Sequence, residues 1–453
     1  MATETAITPM LDVSQYRSLN AGKSRRVTVT PEQSAAVSLS SLGTVDTYIS
    51  IPSSRFSLIN GQCSYLEFDY TITGTSTAAA TGVYPVNLGW SNGDAGSAIK
   101  SIELTCQGQT VCMLDNYGAF SNLMDDFQNG ARSKNVGSIL KNSIFPDYSA
   151  AIADATPSVP LVNLLAIKQP LAHTSGTTYR ACIPLFDPVV GQLSESLVHA
   201  SEGYRLRISW AGYFAACSGA TVTAATINNI KLQLDYVDVQ PDVLQSLARE
   251  GGGTLKSHAS GIQNFNVQGP STDTAFSHLV PARFSSVKYI MNVFRRSAAA
   301  TASDNFWGSR IYPFLDSYSI NVGGRVLPAN PITHLTQGAT SSSDGSEAFM
   351  EFSKILGQIG HSSSVDCVFA QKQYLQTQAT TPAGVGSYAC GLMFEEFAGL
   401  NKTVSGLDTQ SSNIIVQGLC SAAVGVAYQL DSFVGYDLII ETDFNTGSVT
   451  ISK

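Results

Sequence analysis

Apolar and polar residues alternate with a period of two along much of this chain. Val27-Thr28-Val29-Thr30 sets the pattern, and Tyr65-Leu66-Glu67-Phe68-Asp69-Tyr70-Thr71-Ile72 carries it further. Tyr204-Arg205-Leu206-Arg207-Ile208-Ser209-Trp210 and Ile230-Lys231-Leu232-Gln233-Leu234-Asp235-Tyr236 follow the same rule. Successive side chains of an extended backbone point to opposite faces, so these segments are predicted strands with one buried face. Clusters of Gly, Asn, Ser and Thr separate them at short spacing, which predicts sandwiches or barrels.

Helical spacing is confined to a few places. Phe120, Leu123, Met124 and Phe127 fall on one face of a predicted helix. Phe349, Phe352, Ile355 and Leu356 form a second such stripe, with Ser346 as the expected cap and Gly357 as the expected stop. A third, short helix is predicted from Pro241 to Arg249, carrying Val243, Leu244 and Leu247. Core packing accounts for all three stripes.

The pattern also repeats itself. Ile51-Pro52-Ser53-Ser54-Arg55-Phe56-Ser57 is echoed by Val280-Pro281-Ala282-Arg283-Phe284-Ser285, and an alternating strand follows each. Ile99-Lys100-Ser101-Ile102-Glu103-Leu104 runs to the turn Gln107-Gly108, and Leu315-Asp316-Ser317-Tyr318-Ser319-Ile320 runs to Gly323-Gly324, a hairpin signal. A helix stripe comes next in each half. Tyr179-Arg180-Ala181-Cys182-Ile183-Pro184-Leu185-Phe186 then pairs with Tyr388-Ala389-Cys390-Gly391-Leu392-Met393-Phe394. Matches in one order and one local context imply a structural duplication.

The fold expected is therefore all-β: two tandem eight-stranded barrels with a few short inserted helices. Residues 1–24 are assigned to an N-terminal arm, 25–240 to the first barrel, 241–257 to a helix and glycine linker, and 258–453 to the second barrel. Gly251-Gly252-Gly253 is expected to be a flexible joint, since glycine tolerates almost any backbone geometry. A length of 453 residues exceeds the usual limit of one core and fits two domains.

Composition narrows the function classes. Charged residues make up only 13 %, about half the share usual in soluble domains, so much of the surface is expected to be buried against other chains. A Ser/Thr-rich secreted β-protein is the alternative reading of the same figure. The net charge of −8 argues against a chain whose main work is holding nucleic acid. Lys23, Arg25 and Arg26 are too few for a genome-packaging arm and read as solvated positions at the start of a strand. The N-terminus shows no signal-peptide pattern, and no apolar run reaches the ~18 residues of a membrane span. The eight cysteines form no CxxC and mostly sit in apolar runs, as small buried hydrophobes do, although their even number leaves disulfides open. Asn401-Lys402-Thr403 fits a glycosylation sequon, a weak signal alone.

Catalytic constellations are missing from the sequence. The six histidines (His173, His199, His258, His278, His334 and His361) are scattered, and neither HExxH nor a Walker loop occurs. No cofactor and no metal site are expected. Asp125-Asp126 and Glu395-Glu396 are adjacent acids, and neighbours on a strand face opposite ways, so Glu395 and Glu396 are poorly placed to flank one glycosidic bond. They read as solvated or interface charges. The positions singled out are those of the repeat motif: Pro52, Arg55 and Phe56, and Pro281, Arg283 and Phe284. In each, the Pro fixes the start of a strand and the Arg is expected to cap or salt-bridge the barrel end.

On these residues the chain resembles double jelly-roll major capsid proteins, in particular those of polinton-like viruses, adintoviruses and virophages. Cys182-Ile183-Pro184-Leu185-Phe186-Asp187-Pro188-Val189-Val190-Gly191-Gln192-Leu193 is similar to the "IPL…GVLG" stretch of that group, which precedes an Arg/Leu-alternating strand, here Tyr204 to Ile208. Gly406-Leu407-Asp408-Thr409 and Tyr436-Asp437-Leu438-Ile439-Ile440 also resemble family positions. The resemblance implies a homotrimer with six jelly-roll barrels, forming a pseudo-hexameric column in an icosahedral DNA-virus shell. It implies penton and minor capsid proteins as partners, an internal membrane as a further contact, and no sequence-specific nucleic acid. Synthesis in the host cytoplasm and residence in the virion follow. Gly74 to Val83 and Gln337 to Ser346 are candidates for exposed loop tips. The rival of a different class is a two-domain carbohydrate-binding or adhesin-type β-sandwich, for which Trp90 and Trp307 would be the exposed aromatic platforms.

Overall fold

The computed structural model describes residues 22–76, 88–91, 94–128, 173–297, 307, 310–334, 345–359, 388–394 and 406–453. The first half supplies β1 (Gly22–Val29), β2 (Val37–Leu39), β3 (Val45–Ser50), β4 (Ser57–Thr75), β5 (Gly89–Trp90), β6 (Ile99–Cys106), β7 (Gln109–Asp115), helix α1 (Tyr117–Gln128), β8 (Thr178–Ile183), β9 (Val198–His199), β10 (Tyr204–Trp210), the short helix α2 (Tyr213–Ala216), β11 (Cys217–Ser218) and β12 (Thr221–Val239). Helix α3 (Pro241–Glu250) leads to the second half. There follow β13 (Thr254–Gly269), β14 (Ala275–Val280), β15 (Val287–Arg296), β16 (Leu315–Val322), β17 (Arg325–Thr333), helix α4 (Ser346–Ile359), β18 (Cys390–Met393), β19 (Ile414–Cys420), β20 (Tyr428–Asp443) and β21 (Val449–Ser452).

Strand order repeats between the halves. One sheet of the first half runs β1-β12-β4-β8, with β2 and β9 at its margins, and the other runs β3-β10-β6-β7. In the second half the orders are β13-β20-β15-β18 and β14-β19-β16-β17. The four strands on each path have counterparts in the other half, while β2, β9 and the β5–β11 pair are additions in the first and β21, beside β20, in the second; all pairings are antiparallel. Each half is thus two four-stranded sheets packed face to face, the jelly-roll order. Phe68 of β4 meets Trp210 of β10 edge-on at 5.4 Å, and Phe276 of β14 meets Phe294 of β15 at 5.3 Å, so the inward faces interdigitate.

The two hairpins of the repeat share their backbone. Gln107 and Gly108 have φ of 49° and 82°, and Gly323 and Gly324 have 59° and 88°. Two consecutive left-handed residues make the turn whose twist matches the flanking strands.

Two local expectations need correction. Ser346 is the first residue of α4 rather than its cap, and Gly357 lies inside the helix rather than ending it. The Phe349 amide donates to the carbonyl of Gly345, so the flanking position falls one residue earlier. The glycines after α3 are not a flexible joint. Gly252 and Gly253 adopt φ of 71° and 98°, the Gly253 amide donates to the Ala248 carbonyl at 2.7 Å, and the Phe444 amide donates to the Gly253 carbonyl at 3.0 Å. These residues cap α3 and turn the chain directly into β13, and the left-handed geometry is why glycine stands there.

Candidate functional site: the seam between the barrels

The two barrels are joined by a continuous buried seam. Its apolar part is a row of rings: Phe186 meets Phe120 of α1 edge-on at 5.0 Å, and Phe120 meets Phe433 of β20 at 5.2 Å. The Cys112 thiol donates to the carbonyl of Ile262 in β13 at 3.5 Å, and burial pushes that thiol up to about 12. At the other end, Phe56 and Phe444 lie 6.5 Å apart beside Leu244, Leu247 and Ala248 of α3. The connecting helix is therefore a wedge in the seam. Each fully buried aromatic ring there contributes about 1.5–3 kcal/mol.

Four charged groups meet inside this apolar frame. Glu195 comes from the first barrel, and His258, Lys288 and Asp437 come from β13, β15 and β20 of the second. His258 Nδ1 lies 2.7 Å from Glu195 Oε2, and its Nε2 lies 3.2 Å from Asp437 Oδ1. Lys288 Nζ sits 3.1 Å from Glu195 Oε1 and 2.8 Å from Asp437 Oδ1. Ser260 donates to Glu195 and Ser286 to Asp437, both at 2.5 Å. Burial opposes all four charges. The opposite charges outweigh it: His258 is raised to about 9 by Asp437 and Glu195, and Lys288 is raised as well. Glu195 and Asp437 are held below the usual carboxylate range by His258 and Lys288.

A second polar node lies further along. Asp431 is fully buried and forms an ion pair with Arg295, itself 1 % exposed. Asn116, at the end of the first barrel's β7, donates across the seam to Asp431 Oδ1 at 2.9 Å, and Asn264 and Gln429 donate to the same oxygen at 3.2 and 2.8 Å. A buried carboxylate with this many donors fixes relative position, because any sliding strips it of partners.

Backbone pairing completes the junction. The first-barrel segment 193–197 lies along the outer edge of β13: the Ser260 amide donates to the Leu193 carbonyl at 3.0 Å, and Ser194 bridges Ala259. Ser196 Oγ takes the His258 amide and donates to its carbonyl. Gln107, at the β6–β7 turn, donates to the Gly447 carbonyl at 2.8 Å and accepts from the Val449 amide at 3.2 Å. One barrel thus closes an edge of the other.

Solved structures share the overall fold. The chain is similar to the PBCV-1 virus capsid over 97 % of its own length and 98 % of that chain, with 12 % identity and a TM-score of 0.56. A chain of the Sputnik virophage aligns over 98 % of this chain and 92 % of its own, with 10 % identity and a TM-score of 0.57. The Faustovirus major capsid protein aligns over 94 % and 91 %, with 10 % identity and a TM-score of 0.52. The fold is the double jelly roll of viral major capsid proteins. No family model matches the sequence, and no curated protein matches it. At such identities the likeness is one of fold.

Within this double jelly roll the two repeat motifs occupy equivalent loops, between β3 and β4 and between β14 and β15. Their partners differ. The Arg55 guanidinium lies 5.2 Å from the Phe444 ring, and the Arg55 carbonyl lies 2.9 Å from Nε2 of buried His199, so this copy of the motif faces the seam. Phe284 instead stacks on Tyr436 of its own barrel at 3.9 Å, and Arg283 donates to the Gln410 carbonyl and to Asn413. Among the described residues neither guanidinium meets a carboxylate, and the contacts made are with rings and with carbonyl oxygens. Pro52 accepts a hydrogen bond from Tyr236 at 2.6 Å through its carbonyl, and Pro281 opens the second loop.

Other expectations are corrected by burial. Trp90 is 0 % exposed and Trp307 only 3 %, so neither is an aromatic platform in a surface loop. Trp90 packs on Tyr70 at 4.7 Å and the Arg295 guanidinium lies over Trp307. Asp125 is buried rather than solvated, while the Asp126 side chain, Glu395-Glu396 and the sequon at Asn401 lie outside the described residues. Residues 77–83 and 337–344 of the candidate loop tips also lie outside them, and Gly74 belongs to β4. Among the described residues the cysteines are free, mostly buried, and no group of acids, histidines and cysteines is arranged to hold a metal ion. In the charged quartet the cationic groups are Lys288 and His258. The sequence search missed Glu195, Lys288 and Asp437; the available signal was a charge inside an apolar strand, as in Val287-Lys288-Tyr289-Ile290-Met291.

Proposed function

We propose that this chain is the major capsid protein of an icosahedral DNA virus, a structural protein and not an enzyme. Three copies place six similar barrels around one axis as a pseudo-hexameric capsomer, and capsomers tile the shell. The observation that carries this reading is the seam. Two barrels of identical strand order are locked by buried charges, rings and backbone pairing, so one chain acts as a rigid two-barrel tile. A hinged pair of binding modules would need no such junction. The scarcity of charge fits a surface largely covered by other copies.

In this reading residues 1–24 are an arm, 25–240 and 258–453 the two barrels, and 241–257 the connector, with β1 reaching back to Gly22 and β13 to Thr254. The repeat motif serves structure: Arg55 and Phe56 tie the barrels together, and Arg283 and Phe284 brace the second. Penton and minor capsid proteins are the further partners, with synthesis in the host cytoplasm and assembly into the virion. Burial of Trp90 and Trp307 removes the feature that favoured a carbohydrate-binding sandwich. Light scattering on the purified chain, followed by negative-stain imaging, tests the proposal. A species of about three chains with a hexagonal outline is expected, and a monodisperse monomer without assembly overturns it.

A further inference from the structure

The duplication lets the two barrels be compared position by position. In the second barrel β15 and β20 are buried along nearly their whole length, because the first barrel covers the outer face of their sheet. The open wall of that barrel is therefore the outer face of its other sheet, β14-β19-β16-β17, and the equivalent wall of the first barrel is that of β3-β10-β6-β7. Cross-strand pairing fixes the equivalence. Arg207 lies opposite Tyr48 and Glu103, and Gln417 lies opposite Ser277 and Ser319. Arg205 then matches Ile415, Asp46 matches Ala275 and Asp115 matches Thr333.

The two walls differ in charge. The first carries a ladder in which Arg205 pairs with Glu32 at 2.6 Å, and Arg207 pairs with Asp46 at 2.7 Å and with Glu103 at 3.2 Å. Lys100 is close enough to Asp46 and Asp115 to attract both, so four acids meet three bases on this wall. On the second wall none of the nine paired outward positions of β14, β19 and β16 carries a charge. Leu279 and Leu419 are 50 % and 59 % exposed there, and Ile415 lies half-buried beside Leu279. A common strand order thus presents an ionic wall on one barrel and a neutral, partly apolar wall on the other.

We infer that this neutral wall is where two capsomers meet across a two-fold axis, the second barrel of one copy against the second barrel of another. The inference rests on the capsid reading and says which faces join. An icosahedral shell has two-fold axes, and capsomers on either side of one present identical walls to each other. The acid-rich first wall would then face its own charges, whereas the second has none to repel or to desolvate. The occupant is the same wall of another copy because the ionic wall is a poor partner for it. Against that ladder, Leu279 and Leu419 would strip water from Arg205, Arg207 and Glu103 and put nothing polar in its place. Four strands about 4.8 Å apart, with outward rows about 6.8 Å apart, make a wall of roughly 400 Å² per copy. That is less than a stable dimer needs. One contact is weak and many in a closed shell add up, so capsomers stay separate until they assemble.

The test uses the full chain. One variant carries Leu279→Glu with Leu419→Glu and a second carries Leu279→Lys with Leu419→Lys, at exposed positions where a charge leaves the core untouched. By light scattering both are expected at about three chains, like wild type. Alone, each is expected to give about tenfold fewer shells in negative stain, or none. An equimolar mixture is expected to regain shells, since acidic walls then meet basic ones; misfolded variants could not do this. A mixture that stays without shells overturns the inference. So do basic capsomers that assemble alone, because the wall then meets the acid-rich first wall, and so do two variants that both assemble alone. Loss of the trimer in the variants would place the wall inside the capsomer and overturns it as well. A wild type that forms neither trimers nor shells overturns the capsid reading, and the inference with it.

Discussion

Glu195 of the first barrel and Lys288 of the second face each other at 3.1 Å inside the seam, nearly a hundred residues apart in sequence. Both are largely buried, and His258 and Asp437 close the circuit around them. Two positive and two negative groups leave no net charge to solvate, and that balance is what makes a buried ionic cluster tolerable.

The first prediction concerns alkaline pH. His258 has a folded pKa of about 9, above its ordinary value of 6.5, so its contribution is complete below pH ~6.5 and is lost as pH rises through 9. Glu195 and Asp437 are shifted the other way, and their contribution is lost as pH falls below the usual carboxylate range. Thermal unfolding followed across pH should show a maximum between these limits. His258→Gln should flatten the alkaline limb and lower stability at pH 7 by up to about 3 kcal/mol. An unchanged alkaline limb would show that the histidine is not held charged.

Asp187 behaves in the opposite sense. Burial raises it to about 6, while its Oδ1 accepts the amides of Val189 and Val190 at 2.8 and 2.9 Å. A raised acid supplies most stability below its unfolded pKa, and that stability is lost as pH climbs through 6. Asp187→Asn keeps the accepting oxygen and removes the buried charge. It is expected to raise the melting temperature at pH 8 and leave it unchanged at pH 4. Asp187→Ala, which strands two buried amides, should destabilise by about 1–3 kcal/mol per amide at either pH.

Removing Asp431 should be far more damaging than removing a surface acid. Asp431→Ala removes the carboxylate that pairs with the buried Arg295 guanidinium and takes one acceptor from Asn116, Asn264 and Gln429. A loss of about 3–5 kcal/mol is expected in denaturant unfolding. Asp238→Ala at the exposed Arg25 pair should cost under about 1 kcal/mol. Comparable losses at the two sites would contradict the assignment of Asp431 as a seam anchor.

The connector gives a proteolysis test. Gly252 and Gly253 are fixed by α3 and by Phe444, so brief digestion of the native chain should not separate the barrels at residues 251–253. Gly253→Ala, at a φ of 98°, should destabilise by about 1–2 kcal/mol and make the joint cleavable. Early cleavage of the wild type at this point would restore the flexible joint that three glycines suggest.

The sheets were legible because alternation is local: β10 coincides with the segment Tyr204–Trp210, and the hairpins at Gln107-Gly108 and Gly323-Gly324 are where the turn residues place them. The duplication was legible because order survives where identity does not. The seam was not. Glu195, His258, Lys288 and Asp437 are single residues whose meaning lies in contacts across some 60 to 180 positions, and neither helical nor strand period marks such a pair. Trp90 and Trp307 were misplaced for a related reason. Their glycine-, asparagine- and serine-rich neighbours read as surface loop, yet each ring fills a gap that only the assembled barrel creates. Gly251–Gly253 failed differently, since composition reports the freedom of a backbone and not the bonds that remove it.

The pairing of residues 193–197 with the edge of β13 also bears on how the protein is made. Synthesis delivers the first barrel before the second, and domains tend to fold as they emerge. When β13 leaves the ribosome, a surface already shaped by Leu193, Ser194 and Ser196 is waiting for its edge. The later barrel is completed against the earlier one, and a strand edge that would otherwise invite pairing with other nascent chains is occupied as soon as it forms.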